Sequence, residues 1–209
     1  MANLRPLGAI LSPPDPRDYT LSVVTATRDE FPDSYLIPGE RIVTYDQGAT
    51  SMCVAFVLRL IKEVQERAER NKFEMWSAGF IYGNREDDDY QGEGMQVREA
   101  LSQLRKFGVC EFNLLTVVGT YKECRDAIET NKPKLLQHAF PQHTFSYLRL
   151  QDIDEIKTAL MDIGPVIVAL PVYPSFDEPE HIIDPDRVID PDDPYDPYES
   201  LKALNIKDK

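Results

Sequence analysis

Asp46-Gln47-Gly48-Ala49-Thr50-Ser51-Met52-Cys53-Val54-Ala55-Phe56 sets a single cysteine at the mouth of an apolar helical pattern, with a glutamine six residues before it. A cysteine at a helix N-terminus lies among unpaired backbone N–H groups at the positive end of the helix dipole, which favours its thiolate. A glutamine amide nearby can donate to the oxyanion that forms when a thiolate attacks a carbonyl. The same run also reads as a buried structural cysteine in an amphipathic helix, and text further along the chain decides between the two.

Working outward, Val54, Val57, Leu58, Ile61, Val64 and Ala68 recur at helical spacing, with Lys62, Glu63, Glu66, Arg67 and Glu69 on the other side. The spacing predicts one long helix that begins at Cys53 and packs its apolar stripe into the core. Val97, Leu101, Leu104 and Phe107 predict a second amphipathic helix, stopped by Gly108 as a C-cap. Asp152-Ile153-Asp154-Glu155 opens a third with a capping-box-like start, and Ile153, Ile156, Leu160 and Ile163 form its stripe. Gly164-Pro165 stops that helix, and Val166 to Tyr173 reads as a largely buried strand. Residues 1–45 are punctuated by proline (Ser12-Pro13-Pro14-Asp15-Pro16, Phe31-Pro32, Ile37-Pro38) and read as an extended arm with turns.

Composition narrows the function classes. A chain of 209 residues with 42% hydrophobic and 28% charged residues can bury a core of its own. Its formal net charge of −13 argues against nucleic acid, which requires a basic face. No stretch approaches the roughly 18 apolar residues of a membrane span. The opening Met1-Ala2-Asn3-Leu4-Arg5-Pro6-Leu7-Gly8 lacks the apolar core of a secretory signal. Three cysteines, none in C-x-x-C or metal spacing, suit a reducing compartment. Cytoplasm, or a particle assembled there, is the expected location. Cys110 and Cys124 read as small buried apolar groups. No cofactor and no metal site is expected: the Asp-Pro repeats after Pro174 lack the glycine and terminal glutamate of a calcium loop.

The Cys53 run resembles the active-site segment of papain-like (family C1) cysteine peptidases, D-Q-G-x-C-G-S-C-W-A-F. Gln47 falls on the oxyanion glutamine and Cys53 on the nucleophile, while Ala49 to Met52 and Val54 depart from the pattern. Trp76-Ser77-Ala78-Gly79-Phe80-Ile81-Tyr82-Gly83-Asn84-Arg85 resembles the family's segment Ser-Pro-x-Phe-Ile-Tyr-x-x-Arg, with Ala78 where proline is common. The Pro-Asp-Pro-Arg-Asp-Tyr piece at 14–19 resembles the N-terminal arm of bacterial-type papain-like proteins. The resemblance implies an α+β papain-like fold and a glycine loop, Gly92-Glu93-Gly94-Met95, whose backbone pairs with substrate backbone beside the nucleophile. It divides the chain into an arm (1–45), a helical subdomain carrying the cysteine helix (46–130), an incomplete β subdomain (131–176) and an acidic Asp/Pro-rich tail (177–209). Thr50 stands where secreted members carry a disulfide-forming cysteine.

The pattern then breaks. The family's base is a histidine in a Gly-His-Ala-type strand, oriented by an asparagine in an Asn-Ser-Trp-Gly-type stretch, both following the Gly-Pro-Val strand; neither motif occurs here. His138 and His143 precede that strand. His181 is the candidate base, in an acidic, proline-rich setting that equally suits a solvated loop histidine. Two readings therefore remain. In one, a papain-like fold truncated before its catalytic pair is inactive alone and serves as an assembly component; because proteins of this type occur in phage genomes, a virion component is included. In the other, an active peptidase or amidase acts on peptide or protein substrates with a base from His181, a downstream segment or a partner chain. The apolar edge at 166–172 further predicts self-association or a protein partner.

Overall fold

Helical periodicity from Cys53 produces α1, Cys53–Arg70, in the computed structural model, which describes residues 8–36, 45–86, 92–144 and 146–170. Leu170 apart, these belong to one compact unit, Arg5–Ala169. The buried face of α1 differs from the expected stripe. Val54, Ala55 and Leu58 are buried, but so are Arg59, Lys62, Glu63 and Glu66, whereas Val57 is 39% exposed. Burying charge requires partners, and these are present. Arg59 Nε lies 2.8 Å from Glu63 Oε1 and Lys62 Nζ 3.3 Å from Glu66 Oε1. Glu63 also accepts from the Trp76 N–H at 3.2 Å and the Tyr45 hydroxyl at 2.8 Å. Mutual pairing at i,i+4 is what lets charged positions turn inward.

α2, Ala78–Gly83, is buried along its whole length and is capped by Ser77, whose Oγ accepts from the Phe80 N–H. It separates two apolar clusters. Ile81 and Tyr82 join Met52, Leu58, Met95 and Leu104 in one; Phe80 joins Cys110, Ile128, Leu135 and Ala139 in the other. Both outlying cysteines are fully buried, as expected. β2, Met95–Gln96, leads directly into α3, Val97–Phe107, which ends at Gly108. α4, Tyr121–Thr130, starts on a complete capping box between Thr120 and Glu123. α5 spans Lys132–Ala139 and α6 spans Ile153–Asp162, with Asp152 accepting from the Glu155 N–H at its start. Among the described residues no helix is long and apolar enough to cross a membrane.

The arm is docked. Its β1, Ala9–Ile10, runs parallel to β2 with Ala9 opposite Met95. Asp18 takes the Arg98 guanidinium (Nε to Oδ1 3.0 Å, Nη2 to Oδ2 2.5 Å) and Arg149 Nη1 at 3.4 Å. Ser12 Oγ accepts from the Arg98 N–H at 3.1 Å, in the first turn of α3. Arg28 pairs with Asp162 and donates its N–H to Thr158 Oγ1.

Two expectations are corrected here. The α6 stripe is packed only in part: Ile156 and Leu160 are half-buried, but Ile153 is 52% and Ile163 49% exposed, and Thr158 and Ala159 are the buried positions, Thr158 beneath the docked Arg28 backbone. Nor do residues 166–170 form a strand. Ile167 packs on the first cluster, but Val168 is 57% exposed. Among the described residues the sheet consists of β1 and β2 alone, and an apolar run reads the same whether or not a partner strand exists. Residues 171–173 lie outside the described residues.

Candidate active site

Cys53 is the first residue of α1, half-buried against the first cluster, and its thiol is free. The N-cap residue, Met52, supplies no side-chain acceptor to the helix; its own Sδ accepts from the Gly119 N–H at 3.4 Å, which anchors the helix start. Leaving the first turn without a side-chain cap keeps N–H groups and the helix dipole directed at whatever approaches the sulfur. The preceding turn is built from its own polar atoms. Gly48 N–H donates to Asp46 Oδ1 at 2.8 Å, and Thr50 Oγ1 donates to the Gln47 carbonyl at 2.8 Å. Gln47 Nε2 donates to the Thr50 carbonyl at 2.6 Å. A carboxamide has two N–H donors, and the Thr50 bond uses one.

The glycine loop is held from behind. Gly94 has φ +104°, a conformation open to glycine, and its N–H donates to the Tyr82 hydroxyl at 2.7 Å. That hydroxyl donates in turn to Glu93 Oε2 at 2.7 Å. Burial first, and then the Glu93 carboxylate, lift the Tyr82 phenol well above its ordinary range, so it stays protonated and able to donate. Glu93 also accepts from the Tyr121 N–H at 3.1 Å, at the start of α4. The buried Arg85 guanidinium donates to the carbonyls of Gly92 and Gly94 and lies 4.0 Å from the Tyr121 ring centroid.

In front of the loop lies the arm. Met95 N–H donates to the Gly8 carbonyl at 2.7 Å. A Cβ on Gly8 would stand 1.8 Å from the Ser51 carbonyl oxygen, so the arm backbone touches both the loop and the turn that ends at Cys53. The backbone donor expected to meet substrate is thus paired with the chain's own residue 8.

Of the histidines, His138 Nδ1 lies 3.5 Å from Glu111 Oε2, and His143 Nδ1 lies 2.8 Å from the Phe140 carbonyl. His181 lies outside the described residues, as does the Asp-Pro tail. Among the described residues no group of three or more His, Cys, Asp or Glu side chains gathers to hold a metal ion.

No family model matches the chain, and no curated protein matches it. Among solved structures it is similar to xylellain, a cysteine protease from Xylella fastidiosa, with a TM-score of 0.59 and 22% identity. The fold is that of a papain-like cysteine protease. The similarity takes in 75% of this chain and 63% of xylellain, so the chain spans less than two thirds of that enzyme's length. The sequence suggests Cys53, Gln47 and the glycine loop as site residues and gives no role to Arg85, Tyr82 or Gly8. The Tyr-x-x-Arg spacing within 82–85 was the available signal for the first two; nothing in the text marks Gly8.

Proposed function

We infer that this chain is a relative of papain-like cysteine peptidases with Cys53 in the nucleophile position, and that it does not turn over peptides by itself. In such chemistry the sulfur bonds to the peptide carbonyl carbon while the carbonyl π pair moves to oxygen. N–H groups at the start of α1 and the Gln47 amide are the donors for that oxyanion. A base must take the thiol proton and return it to the departing amine, after which water releases the acyl group. The observation that carries the reading is Cys53 as the first residue of a helix without a side-chain cap, in a cysteine-protease fold. The inactivity rests on the missing His and Asn motifs. A role as an assembly component accompanies this reading, because a peptidase fold without its catalytic pair keeps only its surface to act with.

Hydrolysis of a broad fluorogenic peptide panel, compared with Cys53→Ala, tests this. No turnover above the variant is expected, while iodoacetamide labels Cys53 ahead of Cys110 and Cys124, whose thiols burial pushes up to about 12 and about 11. Turnover abolished by Cys53→Ala overturns the inactivity, and His181→Ala then tests that residue as the base. Labelling of Cys110 or Cys124 before Cys53 overturns the nucleophile assignment.

A further inference from the structure

We propose that Arg85 is a positioning residue that locks the Gly94–Met95 peptide with its N–H turned outward, so that the glycine loop receives a carbonyl of an extended peptide backbone. The inference rests on the peptidase reading for the identity of that ligand and on covalent geometry for the lock. A peptide unit is planar and, here, trans, so its C=O and N–H point in opposite directions. The Gly94 carbonyl and the Met95 N–H belong to one such unit. Arg85 holds the oxygen from behind, and the N–H on the other end meets the Gly8 carbonyl in front. Rotating the unit by half a turn would bury the donor and present an acceptor in its place. Glycine at 94, already at positive φ, offers little steric resistance to that rotation, so the restraint must come from a partner of the oxygen.

Arg85 suits the task in three ways. Its fork reaches two loop carbonyls at once, Gly92 and Gly94, which a lysine ammonium, as a point charge, does not reproduce. Its charge is compensated by carbonyl dipoles and by the Tyr121 face 4.0 Å away. A guanidinium bonded to the carbonyl also polarises the peptide and strengthens the opposite N–H as a donor. Tyr82 fixes the neighbouring unit instead, because its hydroxyl accepts the Gly94 N–H. The Gly8 carbonyl occupies the place the ligand carbonyl would take.

Amide hydrogen exchange of the full chain, resolved by NMR, separates these roles. Arg85→Lys should speed exchange at Met95 by about tenfold, the loss of one hydrogen-bond restraint, while amides inside α2 and α4 such as Ile81 and Cys124 stay protected. Tyr82→Phe should speed Gly94 and leave Met95 unchanged. If Arg85→Lys folds poorly, Arg85→Met, which removes both donors to the loop carbonyls, gives the same comparison. Unchanged exchange at Met95, or equal acceleration at Met95, Ile81 and Cys124, overturns the lock. In the same samples, Cys53 labelling by a peptidyl epoxysuccinate relative to iodoacetamide should fall in the Arg85 variant. Faster Met95 exchange with no preference for the peptidyl reagent in either protein supports the lock and overturns the peptide ligand.

Discussion

The Ser77 hydroxyl donates to the Leu115 carbonyl at 2.6 Å and accepts from the Phe80 N–H at 3.1 Å, with the residue fully buried. One oxygen thereby caps α2 and satisfies a distant carbonyl that water cannot reach. Removing it leaves both groups unpaired, and each carries a desolvation cost. Ser77→Ala is expected to lower unfolding free energy by about 2 kcal/mol, read as a shift in the urea midpoint at constant slope. A change within experimental error would mean that α2 does not depend on its cap. At this scale the sequence is uneven. That Cys53 opens a helix is legible in the apolar periodicity from Val54, while the roles proposed for Cys53 and Gln47 come from the residue types that chemistry allows at that spacing. The place of Arg85 is not legible, because the Tyr-x-x-Arg spacing marks the residue without saying whether it lies in water or under a loop.

At the scale of elements, helix starts and stops are the clearest text. Gly108 ends α3 with φ +74°, and Asp152 begins α6, both as expected. The capping box Thr120-x-x-Glu123 marks α4 just as plainly, although that region carries no family motif. Faces are harder to read than ends. Arg59, Lys62, Glu63 and Glu66 turn inward because they pair with one another, and a periodicity argument that treats charge as solvated misses this. The arm illustrates a second limit: its prolines predict extension, but only the fold supplies the arginines that receive it. Asp18 is held below the ordinary carboxylate range, chiefly by its hydrogen bonds from Arg98 and then by the nearby positive charge. Its contribution is therefore complete above the unfolded value of about 3.9 and is lost as pH falls through the lower folded value. Asp18→Asn should cost about 2 kcal/mol at pH 7, and the difference from wild type should shrink as pH is lowered below about 3.9. Urea titrations of both proteins at several pH values check the sign; a difference that grows in acid would refute it.

For the whole molecule, β1 and β2 join residues 86 apart in sequence, Ala9 and Met95. Closing a loop of that length costs about 4 kcal/mol of chain entropy, whereas each backbone hydrogen bond returns roughly 1 kcal/mol net. The pairing cannot form ahead of the helices that bring its ends together. The arm, which precedes the helices in the chain, thus docks after them, and the helical body must reach its final arrangement with the Met95 N–H and the Ser51 carbonyl still uncovered. Folding order, and not only the finished contacts, then sets when the β2 edge is open to other chains. Pulse-labelled exchange during refolding should show the Ile81 and Cys124 amides protected before the Met95 amide, with the lag abolished in a variant whose arm is deleted through residue 12, because Met95 then never gains protection. Simultaneous protection of all three amides in the full chain would mean that the arm instead takes part in the folding nucleus.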